Sequence, residues 1–81
     1  MFQKLVKTTD IEIDGNRYVL RYHEQRTVRG LRRYSCEVML DSADHIIIDG
    51  DSMTSVESKV ARMAPAMVYS RLLAARPSVA A

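Results

Sequence analysis

The sequence predicts an α+β domain: a four-stranded antiparallel meander, β-β-β-β-α in order, packed on one long C-terminal helix kinked near Pro65. Three observations predict it. Apolar residues alternate with period two through residues 11–20 and again through 34–40, the pattern of half-buried strands. Turn-forming Gly, Asn, Asp and Ser residues separate these runs. After Gly50 the period changes to about 3.6, with Val56, Val60, Met63, Ala64 and Met67 at spacings of three and four, a stripe able to cover one sheet face.

The first two strands form a hairpin over residues 11–20, with Gly15-Asn16 as a two-residue turn in which Gly15 supplies the positive φ. That turn sets Asp14 opposite Arg17, and the register follows with Ile13 opposite Tyr18, Ile11 opposite Leu20, Asp10 opposite Arg21 and Lys7 opposite Glu24, the last two being pairs of opposite charge. The second strand, residues 17–25, puts Tyr18, Leu20 and Tyr22 on one face and Val19, Arg21, His23 and Gln25 on the other. The third, residues 32–40, splits likewise into Tyr34, Cys36, Val38 and Leu40 against Arg33, Ser35, Glu37 and Met39. A turn at residues 41–44 leads to a fourth strand, His45-Ile46-Ile47-Ile48, which ends at Asp49-Gly50-Asp51. Thr54-Ser55-Val56-Glu57 matches a capping box and starts the helix. Pro65 deprives the Ala61 carbonyl of its donor, so a kink or break is expected over residues 63–66, with Val68 and Leu72 on a rotated stripe beyond it. Residues 1–76 form the single domain and 77–81 a frayed tail.

With 81 residues the chain supports one core, and 47% hydrophobic with 27% charged residues is the composition of a folded globular protein. Cys36 is the one cysteine, so no internal disulfide forms. No apolar run approaches the roughly 20 residues of a membrane span, and no targeting segment stands out. A cytoplasmic protein is expected, without membrane association. Strand parity sends Cys36 to the helix-covered face and His23 to the open one, and one cysteine with two histidines is too few for a zinc site. The expectation is therefore a non-enzymatic protein with no catalytic residues, no metal and no small-molecule cofactor.

The feature with functional content is RYHEQRTVRGLRRY, residues 21–34, which holds five arginines and one glutamate in a chain of net charge +2. A hairpin that thrusts Arg26, Arg29, Arg32 and Arg33 past the sheet edge supplies phosphate contacts, with Arg21 and His23 on the adjoining face. The expected partner is nucleic acid or another anionic ligand. Asp49, Asp51 and Glu57 run toward the same end of a meander, so they are the acids expected to neutralise the patch. The alternative is a protein-interaction or homodimerisation module. In that reading an exposed edge at Ile46-Ile47-Ile48, or the open face with Val19 and Met39, makes the contact, aided by Phe2, Leu5 and Val6.

Two families share local features. Strands followed by Ser58-Lys59-Val60-Ala61 and Ala64 loosely resemble the β-β-β-α part of a double-stranded-RNA-binding domain, although this sequence carries no Gly-Pro-x-His loop and has Glu57 where that family places cations. Gly50-Asp51-Ser52 ahead of a helix is similar to the strand-to-helix passage of HicB-type antitoxins, without their Pro-Asp-Leu-Pro-Gly-Cys segment. Each likeness covers a minor part of the chain, and no functional residue is carried over from either.

Overall fold

The computed structural model describes residues 2–75. Strands β1 (Phe2–Ile13), β2 (Asn16–Arg26), β3 (Arg32–Met39) and β4 (His45–Gly50) precede helix α1 (Met53–Ala75). The strands form one antiparallel sheet in the order β1-β2-β3-β4, with the helix packed on it. The predicted α+β meander is the fold. The tail expected at 77–81 lies outside the described residues. Among the described residues no helix is long and apolar enough to cross a membrane.

The first turn sits one residue earlier than expected. Asp14 and Gly15 both have positive φ, 51° and 80°, as a type I′ turn requires at both central positions. Asp is among the residues that tolerate this region, so Asp14-Gly15 fills both positions and Asn16 begins β2. Ile13 therefore pairs with Asn16, Ile11 with Tyr18 and Thr9 with Leu20. Each partner differs from the expected one by two residues. A shift of two preserves side-chain parity, which is why the face assignment survives the wrong register. The expected Asp10–Arg21 and Lys7–Glu24 pairs do not form. Arg17 reaches back to Asp10 (3.1 Å) and Glu12 (3.8 Å). The turn register extends to Lys7 opposite Tyr22, and the ladder then shifts between Leu5 and Lys7, a bulge at Val6 that sets Lys4 opposite Glu24.

The core lies between the helix and one sheet face. Tyr18, Leu20 and Tyr22 of β2, Cys36 and Val38 of β3, and Ile46 and Ile48 of β4 are buried against Val56, Val60, Ala64 and Val68. The buried helical stripe runs at intervals of four, so Val68 continues it and Met63, expected inside, is exposed. Val38, Val56 and Val68 are fully buried, each contributing roughly 1.5–3 kcal/mol relative to exposure.

Helix α1 is capped by Ser52. Its hydroxyl accepts the Ser55 N–H at 3.0 Å and its carbonyl the Val56 N–H at 3.1 Å, so the cap lies two residues before the expected Thr54 box. Glu57 pairs instead with Lys7 of β1. The helix runs unbroken through Pro65, so of the kink or break expected there, the break does not occur. Neighbouring stripe residues Ala64 and Val68 are buried on either side of it, and that packing holds the segment helical against the missing hydrogen bond. Gly50 allows the abrupt entry into the helix: a Cβ there would lie 3.1 Å from Ser55 Oγ and 3.2 Å from Val56 Cγ2.

The β1–β2 hairpin outreaches β3–β4 at one end, and the β2–β3 hairpin outreaches β4 at the other. The molecule is accordingly elongated, 53 × 23 × 20 Å.

Candidate anion-binding hairpin

The ladder between β2 and β3 ends at Arg26 opposite Arg32. Beyond it, Thr27 N–H donates to the Leu31 carbonyl and Gly30 N–H to the Thr27 carbonyl, both at 2.9 Å. The Leu31 N–H donates to Thr27 Oγ1 at 3.2 Å, and Gly30 takes φ 80°. These bonds are those of a turn closed by a left-handed glycine, so the tip has a defined conformation. It presents Val28, 97% exposed, and Leu31, 64% exposed, beside Arg29. Sequence reasoning missed both apolar residues; the signal was an apolar pair inside a segment with no core-facing period.

The six expected site residues do not share one surface. Arg21, His23 and Arg33 lie on the open face, Arg26 and Arg32 share the parity of the helix-covered face beyond the helix start, and Arg29 sits in the turn. His23 is half-buried between Leu5 of β1 and Ser35 of β3.

Three of the five arginines have acid partners. Arg21 lies directly opposite Glu37 and reaches it at 3.8 Å. Arg32 reaches Glu24 at 3.4 Å across a diagonal of the same ladder, and Arg33 reaches Asp49 of β4 at 3.3 Å. Of the acids expected to cancel the patch, only Asp49 meets an arginine. Glu57 pairs with Lys7, and Asp51 makes no ion pair among the described residues. Most of the neutralisation comes instead from Glu24 and Glu37 within the sheet. Among the described residues Arg26 and Arg29 form no ion pair. Lys4, opposite Glu24, adds a cation on the adjoining strand that the expected register had not placed there.

The remaining titratable chemistry is on the covered face. Tyr22 faces Cys36 across the ladder, and the Lys7 ammonium lies 5.0 Å from the Tyr22 ring centre. Burial, with the neighbouring Cys36 adding to it, pushes the Tyr22 hydroxyl up to about 12. Burial likewise pushes the Cys36 thiol up to about 11 against the lowering effect of its hydrogen bond with Tyr22. A fully buried, protonated thiol is a poor nucleophile. His45 Nδ1 stands 3.6 Å from Glu37 on the open face. Among the described residues no three His, Cys, Asp or Glu side chains converge as a metal site.

Comparison with known proteins finds no matching family model, no matching curated protein and no matching solved structure.

Proposed function

We propose that this chain is a small, non-enzymatic, cytoplasmic binding module that grips an anionic backbone, nucleic acid foremost, with the tip of its β2–β3 hairpin. The observation that carries the reading is the stacking of like charge at the end of a ladder: Arg26 directly faces Arg32, and Arg26 and Arg29 lack ion-pair partners among the described residues. Directly opposed like charges destabilise a strand pair. A local conflict of this kind is expected where a ligand supplies the missing counter-charge. Arg26 and Arg29 are the phosphate contacts in this reading, with Lys4 and Arg32, which also reaches Glu24, beside them. Arg21 and Arg33, already paired with Glu37 and Asp49, and His23, half-buried on the other face, are peripheral.

A non-enzymatic role is supported by the inert state of Cys36 and its separation from His23. The test is titration of single- and double-stranded oligonucleotides at two salt concentrations. Binding near ~50 mM salt should weaken on raising the salt, and each of Arg26→Ala and Arg29→Ala should lower the log–log salt slope by about 0.7–0.9. Arg33→Ala should have little effect. Absence of binding at low salt, or a slope indifferent to Arg26 and Arg29, would sink the proposal.

A further inference from the structure

The outer edge of β4 has a geometry that suits one occupant. Leu40 N–H donates to the Asp44 carbonyl at 3.0 Å, which fixes the phase of the β3–β4 ladder. Val38–Ile46 and Cys36–Ile48 are then the pairs that exchange hydrogen bonds, and the N–H and C=O groups of His45, Ile47 and Asp49 point away from β3. Lys59 of the helix donates to the outward Asp49 carbonyl at 2.8 Å. Ile47 stands 59% exposed on the open face. Two adjoining grooves that share Met67, of about 380 and 210 Å³, run between β4 and the helix, one lined also by Ile46, Ala66, Ser70 and Arg71 and the other by Ile47, Lys59 and Met63.

We propose that this edge is a homodimer interface, in which β4 of two copies pairs antiparallel about a twofold axis through Ile47 to give one continuous sheet. The strand is complementary to itself in this register. Ile47 meets Ile47 of the second copy, Ile46 meets Ile48, and His45 meets Asp49 at both ends, so an imidazole and a carboxylate face each other twice. The outward groups of the three odd-numbered residues supply up to about six backbone hydrogen bonds. The Asp49 carbonyl has a second lone pair, so it accepts the bond of the second copy while keeping Lys59.

The helix fits the same symmetry. A twofold axis normal to the sheet leaves both helices on one face. Helix α1 packs over β3 and β4, and the axis passes half a strand spacing outside β4. The two helix axes therefore fall about 10 Å apart, the distance of packed helices. Ala66 and Ser70 permit that approach, and Met63 and Met67 of each copy fill the groove of the other. A β-branched edge with an exposed isoleucine is otherwise an open template for pairing with other chains. This surface lies on a different edge from the arginine hairpin, so either proposal stands or falls alone.

The experiment is sedimentation equilibrium of the full chain up to high micromolar concentration, with Ile47→Lys as the interface variant and circular dichroism to confirm its fold. The wild type should dimerise, and Ile47→Lys should weaken dimerisation at least about tenfold by opposing two cations on the axis. As a second readout, Ile47→Cys should crosslink to itself under mild oxidation, since Cα atoms about 5.5 Å apart across a hydrogen-bonded pair suit a disulfide, and Val28→Cys should not. A wild type that stays monomeric, a dimer indifferent to Ile47→Lys, or crosslinking no faster at 47 than at 28 overturns the proposal.

Discussion

Tyr22 and Cys36 show how much a single residue's position decides. Both are buried in the folded chain with their protons on, at about 12 and about 11 against ordinary values of 10.0 and 9.0. Below about pH 8 the folded and unfolded chains hold the same protons, so these groups leave stability flat. Above it the unfolded chain releases first the thiol and then the phenol proton while the folded chain keeps both. Stability therefore falls as pH rises, by up to about 1.4 kcal/mol per pH unit for each group, until the folded groups titrate in turn. Tyr22→Phe should flatten the part of this decline between pH 10 and 12, read from urea unfolding at a series of pH values; an unchanged slope contradicts the assignment. The arginines teach the same lesson from the surface. The basic run 21–34 was plain in the sequence, as was its split by strand parity. Which arginines stay unpaired was not, because Arg21, Arg32 and Arg33 meet acids from three different strands whose register fixes the distances.

At the scale of the element, local signals placed every strand and the helix but slid their ends. The hairpin turn moved because Asp14-Gly15 satisfies two positive-φ positions. The cap moved because Ser52 reaches the Ser55 N–H, leaving Glu57 to bridge to Lys7. Neither rival is excluded by local chemistry alone, since Gly-Asn also suits a turn and Thr54 with Glu57 also suits a cap. Pro65 is the reverse case: its local cost is clear, and tertiary packing overrides it. Because Pro65 is exposed and its neighbours Ala64 and Val68 are buried, Pro65→Ala restores the donor to the Ala61 carbonyl without touching the core. It should stabilise the fold by about 1–3 kcal/mol, the interior proline penalty less the entropy that proline removes from the unfolded chain. A destabilised variant in the same urea assay contradicts this account.

At the scale of the molecule, the helix covers β3 and β4 closely, and β1 is held at the far edge by its long pairing with β2. The Lys7–Glu57 pair is a direct tie between that edge and the helix. Both side chains are largely exposed, so a double-mutant cycle with Lys7→Ala and Glu57→Ala should give a coupling below about 1 kcal/mol that shrinks with added salt. A larger, salt-insensitive coupling means the pair is shielded by something the surface geometry does not include. The sequence by itself determined the order of elements, the meander and the face of nearly every strand residue, because period two and period 3.6 are written in local spacing and survive a register error of two. Only the tertiary structure decided the register, the bulge at Val6, the fate of Pro65, the arginines left without acids and the outward phase of β4. Each of those depends on which distant groups arrive side by side, and that is settled by packing and hydrogen-bond phase across the whole sheet.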